Sequence, residues 1–337
     1  MTLLARRIVR LARTGSPAAV VRATHRELEL RRAEAELERG LRGDGPVVVG
    51  PFTGEVGYEL LYWRPFVLRL LRTYRVDPAR VTVVGRGGSG AWLGEVAAHT
   101  ADVFDLVPPE TVRDASTARR YGSPKQLERD ALDAEIVRRV APEGAAVVHP
   151  RFMYWRLRFL WEGLRDPAEA AALGDYDELP RLPLEPALEE RLPESFVAVK
   201  AYFNECVPDE PEGRRALAAV VAAVAETAPV VLLATPVAAD THGDLAEAAG
   251  TVAVGDALEP ARNLVQQAEI VARARALVST YGGFSYVGPF LGVPTVALSA
   301  RVEDNPNHAR VLRAVRPGAR FARVSPDPDA VLRSLAA

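Results

Sequence analysis

The sequence predicts an α/β protein of two domains, each built on a parallel sheet. The chain has 337 residues, and two domains of about 150 residues each are the usual solution at this length. Short β-branched runs alternate with amphipathic helical segments, which is the order that a doubly wound parallel sheet requires. Glycines follow several of these runs directly, where a strand gives way to a helix.

Composition excludes several classes of protein. The 42 Lys and Arg residues nearly balance the 44 Asp and Glu residues, whereas a dedicated nucleic-acid binder carries a concentrated positive surface. The single cysteine, Cys206, rules out an intramolecular disulfide and a multi-cysteine metal site. No apolar run approaches the roughly 18 residues that cross a bilayer, and the N-terminus lacks a signal-peptide pattern. We therefore expect a cytoplasmic protein that binds no nucleic acid.

Residues 1–44 are predicted to form a helical extension. Ser16-Pro17 is a helix start and Gly40 a helix stop. Residues 1–13 place apolar and arginine side chains on separate faces of a helix: Leu4, Ile8 and Leu11 against Arg6, Arg10 and Arg13. Such a helix either contacts anionic lipid at the inner face of the cell membrane or packs on the body of the protein, and both interpretations stay open.

The most informative stretch runs from Ala276 to Leu298. It predicts a strand, a glycine turn at Gly282-Gly283, a short helix and a second strand. Two glycines at a strand-to-helix turn let backbone N–H groups face outward, and such groups suit a phosphate. The alternative is that the glycines merely allow a tight turn.

Within this stretch, residues 279–294 (STYGGFSYVGPFLGVP) resemble the donor-site segment of glycosyltransferases with the two-domain B-type (GT-B) fold. The closest likeness is to the heptosyltransferase-like branch, glycosyltransferase family 9, whose pattern SNDTGPMHLAAALGVP has the same length. Ser279, Gly283 and the exit Leu291-Gly292-Val293-Pro294 are shared. Tyr281 replaces the family's Asp and Tyr286 its His, so side-chain contacts made by those two family residues do not carry over.

The resemblance implies two Rossmann-like domains that face each other across a cleft, with a nucleotide sugar bound by the second. We assign residues 45–165 to the first domain, 166–192 to a linker and 193–337 to the second domain. The family's donor site implies backbone capture of the diphosphate at Gly282, Gly283 and Phe284. Hydroxyl groups that could donate to the same ligand are those of Ser279, Thr280, Ser285 and Tyr286.

Gly54-Glu55-Val56 follows the first buried strand and resembles the Gly-Asp-Val of that family, whose acid activates the acceptor hydroxyl. An acid beyond the carboxyl end of a parallel strand points into the ligand crevice, and burial can raise a glutamate pKa toward neutrality. Glu55 is our first candidate for the general base, with Gly54 on the acceptor side. A helix-capping role for Glu55 and an active carboxylate at Glu59 are the alternatives.

A second glycine loop, Gly85 to Gly90, fits the dinucleotide pattern G-x-G-x-x-G. It follows the second predicted strand, and no acid is clearly placed about 20 residues on to bind a ribose. We interpret it as an acceptor-side loop with Arg86 facing the cleft. The alternative is an NAD-dependent oxidoreductase that uses this loop.

Four other residues follow predicted strands. His149 and Arg151 lie at the end of the strand at residues 146–149, where His149 is a second candidate base and Arg151 an acceptor-side residue. Lys200 ends the strand at residues 196–200, and the resemblance implies that it binds the diphosphate. Glu303, in the loop after Leu298, could accept hydrogen bonds from ribose or sugar hydroxyls.

The residues and the resemblance together predict a glycosyltransferase, hexosyl- or heptosyl-type. It would move a sugar from a nucleotide sugar to a hydroxyl of a glycan, lipid or small molecule. We identify no D-x-D motif of the kind that holds a metal against the diphosphate, so we expect no metal and no other cofactor. A non-catalytic nucleotide-sugar-binding protein is a further alternative, and a sugar-nucleotide epimerase of the same fold is another.

Overall fold

Two parallel sheets organise the computed structural model, which describes residues 17–119, 125–161, 172, 174–237, 240, 242–301 and 306–337. The first sheet contains β1 Val47–Val49, β2 Val81–Gly85, β3 His99–Asp102 and β4 Ala146–Val148. The second contains β5 Val197–Lys200, β6 Val230–Leu232, β7 Thr251–Ala253, β8 Ala276–Thr280, β9 Thr295–Leu298 and β10 Phe321–Val324. The strand orders are β3-β2-β1-β4 and β10-β9-β8-β5-β6-β7. The predicted fold class is confirmed.

Helices connect the strands of both sheets. The first part of the chain contains α1 Pro17–Arg42, α2 Arg64–Thr73, α3 Pro109–Ala118, α4 Ala131–Val140 and α5 Arg151–Trp161. The second part contains α6 Pro211–Thr227, α7 Asn263–Val271, α8 Pro306–Val315 and α9 Pro328–Ala336. Short α-helical turns occupy Val56–Tyr58, Val103–Leu106, Pro186–Glu189 and Val287–Phe290, and a π-helical segment occupies Glu59–Trp63. The 3₁₀ turns are Pro78–Arg80, Ser89–Leu93, Gly255–Ala257, Pro260–Arg262 and Gly283–Tyr286.

Helix α1 packs on the first domain. Its Leu37 and Leu41 are buried, and a Cβ at Gly40 would come within 2.6 Å of the Ala146 side chain in β4. This contact fixes the predicted helical extension to the first sheet. Among the described residues, no helix has the length and apolarity needed to span a bilayer.

Two predicted elements of the first domain are wrong. The apolar residues of Val103–Val107 predict a strand, but Val103–Leu106 is a helical turn because the Asp102 carboxylate accepts a hydrogen bond from Phe104 N at 2.9 Å. The sequence also predicts a helix over Ala91–His99, but a strand begins at His99 and runs to Asp102. Asp102 therefore ends the strand and caps the helical turn.

The segment between the domains, residues 174–192, is here called the strap. The Arg64 guanidinium of the first domain donates to the Asp177 carbonyl at 2.8 Å. Further along, Leu182 N donates to the Glu269 carboxylate of the second domain at 2.7 Å. The strap is thus bonded to both domains. The domain limits assigned from the sequence stay a prediction.

The two domains also meet directly. A Cβ at Gly57 would lie 2.8 Å from the Gly283 Cα, so only glycines allow the two backbones to approach this closely. Nearby, Tyr62 Oη lies 2.7 Å from His308 Nδ1. Burial, with the Lys125 charge, lowers the pKa of His308 to about 4. His308 is therefore neutral at physiological pH at this interface.

Candidate ligand-binding cleft between the domains

An open cleft lies between the domains, at the carboxyl ends of the parallel strands. This is the edge at which open α/β sheets bind ligands. The first domain contributes Glu55, Val56 and Arg86. The second contributes Lys200, Tyr202, Thr235, Val237, Asp240, His242, Asp244, Asn263, Leu264, Gln267, Gly283 and Phe284.

The loop that carries Glu55 is held by a buried polar network. Thr53 N donates to Gln126 Oε1 at 2.9 Å. Gln126 Nε2 donates to the Pro51 carbonyl and to Asp133 Oδ1, both at 2.8 Å. Because Gln126 and Asp133 are completely buried, water does not compete for these bonds. The network therefore fixes the loop between β1 and Glu55.

Glu55 lies at the edge of the cleft with a raised pKa. Burial raises the pKa of this carboxyl, against the opposing charges of Lys125, His242 and Arg86. Its backbone begins the Val56–Tyr58 turn, but its side chain makes no capping hydrogen bond. The capping alternative is therefore not supported, and the carboxylate is available to a ligand.

Glu59, the alternative carboxylate, is not part of the cleft lining. It lies in the π-helical segment and is 4 % exposed, and its Oε2 has no hydrogen-bond partner. Burial raises the pKa of Glu59 to about 7, with Ser89 and Arg86 opposing the shift. Its carboxylate has no direct route to a ligand in the cleft.

His149 is not available as a base. Its Nε2 lies 3.0 Å from Asp133 Oδ2, and its Nδ1 accepts a hydrogen bond from Arg151 N at 3.1 Å. Both ring nitrogens are engaged, and the ring is 2 % exposed. The prediction of a catalytic His149 is corrected: the residue stabilises the network behind the Glu55 loop.

Arg151 also lies away from the cleft lining. Its guanidinium packs over the rings of Phe152, at 4.8 Å from the centroid, and Trp155, at 5.6 Å. These are packing contacts within α5. The structure therefore does not bring Arg151 together with Glu55 as predicted.

The Gly85–Gly90 loop packs against the second domain. The Gly87 carbonyl accepts hydrogen bonds from Leu264 N and Val265 N, both at 3.0 Å, and a Cβ at Gly87 would touch Leu264 at 2.9 Å. The first amides of α7 thus occupy the turn where a dinucleotide would need to bind. This packing disfavours the oxidoreductase alternative. Arg86 does face the cleft, as predicted.

Lys200 reaches the cleft but already has protein partners. Its Nζ donates to Asp244 Oδ2 at 2.7 Å and to the Leu233 carbonyl at 2.8 Å. Asp244 also accepts from Thr235 N at 2.8 Å. Lys200 and Asp244 therefore form a neutral pair that fixes the ends of β5 and β6.

The glycine turn presents free amides at the cleft. Gly283 and Phe284 line it, and Gly282 is in extended backbone at φ 164°. Within the described part of the chain, the N–H groups of these three residues donate to no protein acceptor. Capture of a phosphate by these amides stays a prediction.

The four predicted hydroxyl contacts are directed inward instead. Ser279 Oγ donates to the Thr280 carbonyl at 3.0 Å, and Thr280 Oγ1 to the Tyr202 carbonyl at 2.7 Å. Ser285 Oγ donates to the Gly282 carbonyl at 2.8 Å. Tyr286 Oη lies 3.0 Å from Tyr281 Oη. These hydroxyls stabilise the turn and do not line the cleft, which corrects their prediction as ligand contacts.

Glu303 and residues 1–13 lie outside the described residues. Two D-x-D stretches do occur in the sequence, at residues 175–177 and 327–329. Asp175 Oδ2 pairs with Arg72 at 3.2 Å, and Asp327 Oδ1 accepts from Ala330 N at the start of α9. Neither stretch lines the cleft. The described residues contain no cluster of three or more His, Cys, Asp or Glu side chains placed to hold a metal.

Sequence reasoning missed the polar residues that the second domain adds to the cleft. His242 Nδ1 lies 3.5 Å from Asp240 Oδ2, and the pKa of His242 is raised chiefly by its hydrogen bond to Asp240. Gln267 Nε2 donates to Asn263 Oδ1 at 2.8 Å, while the buried Gln267 Oε1 has no partner. The sequence could have indicated these residues by their position. Asp240 and His242 follow a strand, and Asn263 and Gln267 lie at the start of a helix.

The fold is similar to that of Escherichia coli ADP-heptose LPS heptosyltransferase II. That likeness has a TM-score of 0.50 and 14 % identity, and covers 87 % of this chain and 97 % of that chain. Glycosyl transferase family 9 from Veillonella parvula DSM 2008 matches with a TM-score of 0.44 and 14 % identity, over 85 % and 87 % of the two chains. Escherichia coli heptosyltransferase WaaC with ADP gives 0.44 and 13 %, over 86 % and 99 %.

Neither a family model nor a curated protein matches the sequence. At 14 % identity the structural likeness shows the fold alone. The chain therefore has the two-domain GT-B architecture, with Rossmann-like domains facing each other across a cleft.

Proposed function

We propose that this protein is a glycosyltransferase that binds a nucleotide sugar in the interdomain cleft and transfers its sugar to a hydroxyl group. One observation carries the proposal: the unbonded amides of Gly283 and Phe284 line the same cleft as Glu55. Amides of this kind bind phosphate oxygens. A half-buried carboxyl with a raised pKa suits a general base.

In the proposed reaction, Glu55 takes the proton of the acceptor hydroxyl as its oxygen bonds to the anomeric carbon. The bond from that carbon to the diphosphate oxygen breaks, and its electron pair leaves with the diphosphate. The amides of Gly283 and Phe284 then stabilise the departing charge. This chemistry requires no metal in the cleft, and we propose that turnover is metal-independent.

Calorimetric titration with ADP, UDP, GDP, CDP, TDP and NAD, each in the presence of EDTA, tests binding. We expect saturable binding of at least one nucleoside diphosphate and none of NAD. ADP is the first choice, because the similar structures include a heptosyltransferase with ADP. Failure of every nucleoside diphosphate, or binding of NAD alone, would contradict the proposal. Binding that appears only when a divalent metal is restored would contradict metal independence.

Glu55→Gln tests the base. We expect the rate of sugar transfer or of nucleotide-sugar hydrolysis to fall about 10²-fold or more, since a general base contributes roughly that factor. Affinity for the nucleoside diphosphate should stay within about twofold, because the amide keeps the size of the side chain. Glu212→Gln, at an exposed position at the start of α6, is the matched control and should leave both quantities unchanged.

Undiminished turnover in Glu55→Gln would assign the base elsewhere. Tight nucleotide-sugar binding by the wild-type protein, with no turnover of any nucleotide sugar, would favour the non-catalytic alternative. An interconverted nucleotide sugar, released without transfer, would favour the epimerase alternative.

A further inference from the structure

We propose that Arg86, from the first domain, is the cation that binds the diphosphate of the nucleotide sugar, in place of Lys200. The inference rests on the proposed function, because it concerns the ligand of the same cleft. It reassigns Arg86 from the acceptor side to the nucleotide-sugar side.

Lys200 has little charge left to offer an anion. Its ammonium group lies 2.7 Å from Asp244 Oδ2 and 2.8 Å from the Leu233 carbonyl, and its side chain is 9 % exposed. A buried cation that is already paired gains little from a second anion. Drawing it toward a diphosphate would also leave Asp244 as an uncompensated carboxylate in the cleft.

The Arg86 guanidinium, in contrast, is only partly engaged by the protein. Its Nε donates to the Gly54 carbonyl at 2.9 Å, and this is its one side-chain hydrogen bond in the described part of the chain. The ion pairs of the cleft join Lys200 to Asp244 and His242 to Asp240. The two terminal nitrogens of Arg86 are therefore left for a ligand, and a planar guanidinium binds paired phosphate oxygens well.

The Arg86 loop is fixed to both domains. Next to Arg86, the Gly87 carbonyl accepts from two amides of α7 in the second domain, and Gly88 N donates to Asp102 Oδ2 at 2.7 Å. Burial raises the pKa of Asp102 to about 6, while the backbone N–H bonds oppose the shift. Arg86 is thus positioned before the ligand arrives, which reduces the ordering cost of binding.

The charged groups that line the cleft also indicate Arg86 as the cation for the diphosphate. The Lys200 ammonium is paired with Asp244, and Asp240 has the His242 ring beside it. Arg86 lines the same cleft and forms no ion pair with any residue that the structure describes. Arg86 is the cleft cation whose charge a diphosphate would balance.

Calorimetric titration with ADP, UDP and GDP, and with the nucleoside of each, tests the inference. It compares loss of the Arg86 charge with loss of the Lys200–Asp244 pair. Arg86→Gln should weaken diphosphate affinity at least tenfold, with nucleoside affinity within twofold of wild type. Arg86→Lys should recover part of the loss. The double variant Lys200→Met/Asp244→Asn removes the neutral pair as a unit and should stay within threefold of wild type. Arg320→Gln, an exposed arginine at the far edge of the second sheet, is the control.

An Arg86→Gln affinity within twofold of wild type, or an equal loss in the double variant, would overturn this inference alone. If the wild-type protein binds no nucleoside diphosphate, the proposed function fails, and this inference with it. Unchanged nucleoside affinity and thermal midpoint in Arg86→Gln separate loss of the charge from loss of the fold.

Discussion

Glu59 shows how one buried residue can set the pH response of the protein. Its carboxyl lies in a π-helical segment, and π-helical turns often occur at functional sites. Burial raises its pKa to about 7, from an ordinary value near 4.5. Between these values the folded state holds a proton that the unfolded state has released. Stability from this residue is therefore lost as pH rises through that window.

We expect Glu59→Gln to remove this dependence. Wild-type stability should fall by at most about 3 kcal/mol relative to the variant between pH 4.5 and pH 7.5, because the pKa of Glu59 is about 7 in the folded state and near 4.5 in the unfolded state. Urea unfolding of both proteins across this range measures the difference. Glu212→Gln should follow the wild-type profile. Parallel profiles for wild type and Glu59→Gln would show that Glu59 does not titrate in this window.

Single residues were predictable where a strand end places them and unpredictable where burial decides. Glu55 and Lys200 follow strands, so the sequence correctly places both at the cleft. His149 also ends a strand, but its two ring nitrogens are engaged by partners that no local pattern reveals. The inward direction of Ser279 and Thr280 depends on contacts with Tyr202, which lies 78 residues from Thr280 in sequence.

At the scale of elements, the turn after β8 and the turn after Glu55 pack against each other through glycine. A Cβ at Gly283 would lie 2.9 Å from Gly57 N and 3.2 Å from the Val56 side chain. Because a backbone nitrogen cannot move aside cheaply, a methyl group at this position would push the two turns apart. The same turns carry the amides and the carboxylate of the cleft.

We expect Gly283→Ala to lower stability by about 1 to 3 kcal/mol, as overpacking of this kind does. It should also weaken nucleoside-diphosphate binding, because the amides at the turn shift. Gly43→Ala is the control, since a Cβ there meets its neighbours at 3.6 Å, an ordinary contact. Thermal denaturation and calorimetry report both effects, and wild-type values for Gly283→Ala would show that the turns separate without cost.

Elements with a strong pattern were predictable, and weak edge elements were not. The sequence predicts a strand before the glycine turn at Gly282-Gly283, and β8 lies there at Ala276–Thr280. It also predicts a helix over Pro306–Val315, and α8 has these bounds. β10 has four half-buried residues at a sheet edge, so it carries no clear alternation of apolar and polar residues. The sequence predicts one helix over Lys125–Val140, but α4 begins at Ala131 because Asp130 and Asp133 form a capping box.

For the whole molecule, one hydrophobic core continues from the first domain into the second. Phe66 and Trp63 of the first domain belong to the same buried cluster as Tyr286 and Phe290 of the second. The two-domain organisation was predictable from length, strand order and the family resemblance. This continuous core was not, because it depends on surfaces that meet only after each sheet has formed.

The continuous core predicts a single cooperative unfolding transition. All four tryptophans lie in the first domain, so their fluorescence follows that domain, whereas far-UV circular dichroism follows both. The two urea transitions should coincide. Leu217→Ala creates a cavity in the separate core behind the second sheet. It should lower the fluorescence midpoint as well, by an amount that corresponds to about 2 to 5 kcal/mol. If Leu217→Ala leaves the fluorescence midpoint unchanged, the domains unfold independently.

The strap has a consequence for any attempt to dissect the protein. Glu269 and Gln266 of the second domain are both almost completely buried, and their oxygens accept hydrogen bonds from Leu182 N and Glu185 N. A fragment that starts at residue 193 would keep these acceptors and lose their donors, which costs more than the bonds themselves contribute. An independently expressed second domain should therefore begin upstream of Leu182.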